Sequence, residues 1–313
     1  MSATPPRVVC RQITAQDCDG VVNLLTVGFP QQPRAIWQRA IQRLTVRAVP
    51  EGFPRYGYLL HDGQRPVGVL LLIFTALGDV TQIRGNVSSW YVEPPFRNFA
   101  SLLASRALSH RTATYINVTP GPNTLPLLEA QGYQVYSRGR LLSAPALSWQ
   151  GGATHVLAAT DAAIEKAGLP ADEARVLRDH RNFGCLSLIV MAGGRLHPIV
   201  FQRCSGPRGL SHALLVWCRG VPDFMQCAGV LGRYLLRRGM PFVMLDADGP
   251  VPGLRGRYVD APKFFKGPDR PRHGDLAYTE YPVFGIQCRR RVFYLPAIAL
   301  TDADRYEPSA QHH

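Results

Sequence analysis

Three strand-like runs, a helix and a further strand occur in that order twice along this chain, and few architectures accommodate such a repeat. In the first half, Arg7 to Ile13 reads as a short strand, and Asp17 is placed to cap a helix running through Val27. Residues 34 to 47 set Ile36, Trp37, Ala40, Ile41 and Leu44 at helical spacing, with arginines on the opposite face. Strands are predicted at Tyr56 to His61 and Pro66 to Thr75, joined across D-G-Q-R as a hairpin. Then come a strand at Ser88 to Val92, a helix at Phe99 to His110 and a strand at Thr114 to Val118, closed by T-P-G-P-N. A short helix, Leu125 to Ala130, stops near Gly132, and Tyr133 to Leu142 returns as a strand.

Residues 145 to 155 read as a linker, after which the order resumes. Residues 161 to 180 are predicted helical, and Leu186 to Ala192 and Leu196 to Arg203 form a hairpin across G-G-R. His212 to Cys218 is a strand, and Pro222 to Arg238 is a helix opened by proline in its first turn. Pro241 to Leu245 and Ala277 to Phe284 are read as strands. The mixture predicts an α/β protein with mixed sheets and two related units, residues 1–147 and 155–313. No repeat is visible residue by residue.

The 313 residues are enough for two such units, and 46% hydrophobic against 18% charged residues favours packed cores over disorder. A net charge of +13 favours anionic partners: phosphorylated cofactors, nucleic acid or an acidic surface. The arginines are scattered, with no helix-turn-helix, zinc finger or aromatic RNA-binding run, which argues against nucleic acid. Met1 to Pro6 lacks the basic start and apolar run of a signal peptide, and apolar runs such as Val67 to Phe74 fall far short of the roughly 20 residues of a membrane span. A cytoplasmic protein without a membrane partner is expected. Cysteines at 10, 18, 185, 204, 218, 227 and 288 include no C-x-x-C pair, so neither a disulfide framework nor a zinc site is indicated.

The run V-S-S-W-Y-V-E-P-P-F-R-N-F-A-S-L-L, residues 87 to 103, carries most of the chemistry. A strand halts at Pro94-Pro95, presents Arg97 and turns into an apolar helix. A helix N-terminus offers unpaired N–H groups and a partial positive charge, and a neighbouring arginine adds a cation. The junction reads as an anion site.

With the elements in this order, the first half resembles the GNAT superfamily of acyltransferases. Y-V-E-P-P-F-R is similar to that superfamily's V-x-P-x-Y/F-R entry to the acyl-CoA loop. F-A-S-L-L-A-S-R-A-L follows where the family places its pyrophosphate-binding helix, and L-L-E-A-Q-G-Y-Q-V-Y resembles its closing helix, glycine and aromatic strand. The resemblance spans residues 7 to 142, while the second half shares only the element order. It implies two GNAT-like acyl-CoA acyltransferase domains in tandem, with acetyl-CoA or another acyl-CoA as co-substrate. Coenzyme A would lie against Tyr91, Val92 and Glu93 through backbone amides, and against Arg97, Asn98, Phe99, Ala100 and Ser101 at the helix start.

Two positions depart from the family. Its Q/R-x-x-G-x-G/A pattern meets Ala100 and then Leu102, bulk where a small residue lets phosphate approach the backbone. The tyrosine that protonates the leaving thiolate in many members is replaced by Leu128; Tyr115, Tyr133 and Tyr136 lie nearby in sequence. Glu93 could serve as a base through water, and Tyr258, in the basic segment Arg255 to Asp275, could supply the missing proton. Lys263, Lys266, Arg270 and Arg272 of that segment read as an anion-binding loop or a surface flap. Asp246 and Asp248, in F-V-M-L-D-A-D-G-P, end a buried strand where a D-x-D pair could hold a divalent metal.

The expected activity is transfer of an acyl group to an amine, or less commonly a hydroxyl, of a small-molecule or peptide acceptor, an acidic one suiting the basic charge. Two alternatives stand beside it: a non-catalytic acyl-CoA or partner-binding module, and a metal-dependent transferase built on Asp246 and Asp248. Oligomeric state is not encoded in any motif.

Overall fold

The strand Pro66–Leu77 is buried on both faces from Val67 to Thr75. A sheet containing it must therefore carry helices on both sides. The computed structural model describes residues 8–78, 82–121, 124–148, 153–206 and 210–286, and it has that arrangement. In chain order the strands are β1 (Val9–Gln12), β2 (Gly57–His61), β3 (Pro66–Leu77), β4 (Gln82–Val92), β5 (Ala113–Asn117), β6 (Gln134–Ser143), β7 (Ala153–Ala158), β8 (Leu186–Ala192), β9 (Arg195–Ser205), β10 (Ser211–Trp217), β11 (Phe242–Ala247) and β12 (Gly256–Lys266). The helices are α1 (Cys18–Gly28), α2 (Arg34–Val46), α3 (Ala100–Ala107), α4 (Leu125–Ala130), α5 (Asp161–Ala167), α6 (Ala171–Asn182), α7 (Val221–Leu236) and α8 (Glu280–Phe284).

The strands form one sheet in the order β1-β2-β3-β4-β5-β12-β6-β11-β10-β9-β8-β7. The order is nearly a palindrome, as expected of two related halves. At its centre the halves exchange strands: β12, from the second half, pairs antiparallel with β5, and β6, from the first, pairs antiparallel with β11. β6 and β12 also pair with each other.

Alternation along β3 sends successive side chains to opposite faces. Val69, Leu71 and Ile73 meet Val21, Leu25, Trp37 and Leu44 of α1 and α2, with Val283 and Phe284 of α8 in the same cluster. Leu70, Leu72 and Phe74 meet Leu103 and Ala107 of α3 and Leu128 of α4. In the second half, α5 and α6 cover one face through Ile164 and Leu177, while α7 covers the other through Phe224, Leu231 and Leu235. The chain between the halves lies directly on α7: a Cβ at Gly232 would stand 2.1 Å from the Ala146 nitrogen. Only glycine permits that contact. Among the described residues, no helix is long and apolar enough to cross a membrane.

Four expectations need correction. The helix predicted over 161 to 180 is two helices, because Gly168 adopts φ 57 and is followed by Leu169-Pro170. The predicted linker 145 to 155 contains a 3-10 turn at Pro145–Leu147 and the start of β7. Ala277 to Phe284 is no strand: a turn leads from Thr279 into α8, which stops at Gly285 with φ 68. Every residue from Leu276 to Phe284 is buried, so this short helix has no polar face to betray its period. Lastly, much of the supposed basic loop is β12, whose alternation is broken by register shifts around Asp260 and Lys263, with Pro262 between them.

Candidate active site

β3 and β4 pair in step from Leu77↔Gln82 to Leu71↔Ser88, then resume at Val69↔Tyr91. Ser89 and Trp90 thus oppose the single Leu70, forming a bulge, and Ser89 takes the left-handed φ of 51. β4 and β5 run parallel only from Ile83↔Ala113 to Asn86↔Ile116, and β12 meets β5 only at Phe264 to Lys266. Beyond those rungs the strands splay, and among the described residues nothing pairs with the outer edge of β4 from Val87 to Val92. The Glu93 N–H donates to the Val67 carbonyl at 2.9 Å. By alternation, the N–H and C=O of Val92 are turned into the gap.

The strand ends in a 3-10 helix, Pro94–Phe99, that runs into α3. Pro94 and Pro95 have no N–H, the Phe96 N–H donates to the Glu93 carbonyl at 2.9 Å, and the Ala100 N–H donates to the Arg97 carbonyl. Fewer amides are therefore free here than at a glycine-rich loop. Arg97, Asn98 and Ser101 are exposed at the junction, whereas Phe99 and Ala100 pack against the core beneath α3. The Tyr91 ring lies on Gly28, where a Cβ would approach it to 2.4 Å, and Val92 is buried on the other face. Those two residues offer backbone rather than side chain. Leu102 is 44% exposed and Leu128 is buried in the core.

Glu93 and Tyr258 line different places. Both carboxylate oxygens of Glu93 accept from Arg65, at 2.6 and 2.7 Å, beside a 170 Å³ cleft bordered by Gly20, Asn23 and Val27 of α1. Tyr258 stands opposite Leu141 on β6, with its hydroxyl against Gly139, and packs on the core under α7. Tyr115, Tyr133 and Tyr136 are all buried; the Tyr115 hydroxyl accepts from the His110 N–H at 3.1 Å, and burial pushes it up to about 12.

The splay point holds a carboxylate that the sequence reading missed. Glu280, the first residue of α8, is fully buried and accepts from the Asn86 amide and from the Thr119 hydroxyl, the latter at 2.5 Å. Asn86 is the last β4 residue paired with β5, and Thr119 lies just beyond β5. Burial pushes the Glu280 carboxyl above the ordinary carboxylate range, against the pull of the Thr119 hydrogen bond. The available signal was one acid in the otherwise uncharged run Y-T-E-Y-P-V-F.

The D-x-D pair of the alternative reading does not converge on one point among the described residues. Asp246 is buried and accepts from the ammonium of Lys263, with Arg140 Nε 3.8 Å away, while Asp248 accepts the Arg138 N–H at 2.7 Å. The two carboxylates serve separate partners, and no metal-like cluster of three or more His, Cys, Asp or Glu occurs among the described residues. The anion-loop cations are also engaged: Lys263 with Asp246, Lys266 with the Gln131 carbonyl at 2.7 Å, and Arg272 with the Cys218 carbonyl. Arg270 lies 5.7 Å from the Phe265 ring centre.

The second half repeats the bulge but not the opening. Val216 is the extra residue between Leu215↔Phe201 and Trp217↔Val200, and the parallel β10–β11 pairing ends at Leu214↔Met244. Here the freed edge is occupied. The Leu276 N–H donates to the Val216 carbonyl at 2.7 Å, the Cys218 N–H donates to the Gly274 carbonyl at 2.9 Å, and Trp217 bridges Asp275. The first turn of α7 carries Asp223, bound to His197 at 2.6 Å, which repels an anion from that helix end.

No family model and no curated protein matches the sequence. Solved structures do match the fold. A Pyrococcus horikoshii protein described as an acetyltransferase aligns with a TM-score of 0.52 at 15% identity, over 87% of this chain and 93% of that one. A GCN5-related N-acetyltransferase from Anabaena variabilis aligns at 0.56 and 10% identity, over 83% and 72%. Another from Kribbella flavida aligns at 0.54 and 12%, over 85% and 72%. The splayed strands, the bulge and these alignments together establish that the chain has the GCN5-related N-acetyltransferase fold, extended across both halves.

Proposed function

We propose that the protein is a cytoplasmic acyltransferase that binds acetyl-CoA or another acyl-CoA in the gap beside β4 and transfers the acyl group to an amine of a small-molecule or peptide acceptor. One observation carries this reading: the edge after the first bulge is open among the described residues, while its counterpart in the second half is closed by Gly274 to Leu276. The open edge suits the amides of a pantetheine arm. With two junction amides engaged, the diphosphate would rest chiefly on Arg97, Asn98 and Ser101 side chains.

The acceptor nitrogen bonds to the thioester carbonyl carbon as the C–S bond breaks. N–H groups turned into the gap polarise the carbonyl oxygen. The nitrogen loses its proton to the Thr119 hydroxyl, which passes its own to Glu280. Burial raises the basicity of that carboxylate, whereas Glu93 is already held by Arg65. The thiolate takes its proton from water, since Leu128 occupies the tyrosine position. Native mass spectrometry with acetyl-CoA tests the reading. One equivalent per chain is expected; no binding would sink it, and two equivalents would show that the second half is not closed. Turnover with a panel of amines separates the enzyme from a non-catalytic acyl-CoA binder, the reading that Leu128 and the engaged amides favour.

A further inference from the structure

A cleft of about 450 Å³ lies between the end of α2, the end of β3 and α6, so both halves contribute to it. Arg43, Arg47 and Arg175 line it with a single carboxylate, Asp179. That carboxylate accepts the Tyr278 hydroxyl at 2.7 Å, and none of the three arginines forms an ion pair among the described residues. Their hydrogen bonds go to neutral groups. Arg43 donates to the carbonyls of Pro282, Val283 and Phe183 at 3.0, 3.0 and 2.9 Å. Arg47 donates to the Thr75 hydroxyl at 2.7 Å and to the Phe74 carbonyl, and Arg175 donates to the Ala76 carbonyl at 3.0 Å.

Carbonyl dipoles orient a guanidinium but do not neutralise it. Burial pulls Arg47 down to about 10 and nearby Arg55 adds to the pull, which the Asp179 charge, shared with the Tyr278 hydroxyl, offsets only in part. All three arginines are half-buried, and cations that lose hydration in this way are normally paired, because desolvation is otherwise uncompensated. The volume falls within the range of small-molecule sites, and Val49 and Phe183 give the cleft an apolar side.

We propose that this cleft binds a small organic oxyanion, a carboxylate or phosphate monoester on an apolar body, whose head supplies the missing counter-charge to Arg43, Arg47 and Arg175. The site is separate from the gap beside β4. Thr75 pairs with Arg84, about five residues before the bulge, which places the two roughly 17 Å apart along the strand. The inference therefore does not depend on acyl transfer.

Calorimetry on the full chain at constant ionic strength tests it, with phenyl phosphate, benzoate and inorganic phosphate as probes. Saturable binding of phenyl phosphate or benzoate is expected, at least tenfold tighter than inorganic phosphate and weakened at least tenfold by Arg175→Gln. The tighter of the two organic probes identifies the head group. Absence of binding, or binding that survives Arg175→Gln and disappears with Arg97→Glu, would overturn the proposal. A second variant does not depend on a ligand. Ala48 is exposed and lines the cleft, so Ala48→Glu should supply the counter-charge internally, raising the urea midpoint and abolishing probe binding. A lowered midpoint with probe binding intact would count against it.

Discussion

His180 links the stability of the molecule to the position of Glu280. It is fully buried; Nδ1 lies 2.8 Å from the Val176 carbonyl, and the Tyr278 N–H donates to Nε2 at 3.2 Å. Only the neutral ring satisfies both contacts, with Nδ1 donating and Nε2 accepting; a second proton would set Nε2–H against the Tyr278 N–H. Burial accordingly pulls the imidazole from 6.5 to about 4. Because the folded value lies below the unfolded one, the unfolded chain binds more protons between those limits. Stability is complete above pH 6.5 and falls as the pH drops towards 4. At about 1.4 kcal/mol per pH unit, the loss amounts to about 3 kcal/mol. In His180→Gln, the side-chain amide can make both hydrogen bonds without titrating. Urea unfolding at pH 8 and pH 4 should show the wild type losing about 3 kcal/mol more than the variant. His212, also lowered to about 4 by burial and Arg140, titrates in both proteins and cancels in the comparison. Equal losses would refute the argument. Tyr278 stands two residues before Glu280, so the contact of its N–H with the neutral ring helps to set where α8 begins.

Arg97→Glu should weaken acetyl-CoA binding by about 10- to 150-fold, the equivalent of about 1.5–3 kcal/mol, and an unchanged Kd in a folded variant would move the site elsewhere. Glu280→Gln should lower kcat by about 100-fold or more in steady-state assays. Since burial raises the folded carboxyl, wild-type stability falls as the pH rises above the unfolded value; the glutamine variant should therefore be at least as stable at pH 8 by urea unfolding. Undiminished kcat would remove Glu280 from the mechanism. Asp246→Asn leaves Lys263 buried beside a neutral amide and should cost about 3–5 kcal/mol, most of it recovered in the double variant with Lys263→Met; a neutral single substitution would contradict the ion pair.

The legible parts of the sequence were those where one face is solvent and the other core. Trp37, Ala40 and Leu44 announced α2 by their spacing, and D-G-Q-R announced the β2–β3 hairpin. Y-V-E-P-P-F-R located the strand-to-helix junction because Pro94 and Pro95 cannot continue a ladder. What escaped were segments buried all round. α8 carries no polar stripe, and Lys263 on β12 reads as surface until Asp246 is found beside it in the fold. The exchange of β6 and β12 was hidden for another reason. Strand order is set by contacts between residues more than 100 positions apart, such as Ile116 with Phe265, and local pattern carries no record of them. The candidate site residues followed the same division: Arg97, proposed to bind the anion, was visible at its junction, whereas Glu280 reaches the splay point only through tertiary packing.

The central claim is that a single acyl-CoA site lies beside the bulge of β4. Amide hydrogen exchange with and without saturating acetyl-CoA tests it most directly, because it reads both bulges in one experiment. Protection should appear over residues 87–103, with no change over 214–224, where Gly274 to Leu276 already occupies the edge. Protection at 214–224 instead, or no protection at 87–103, would contradict the account.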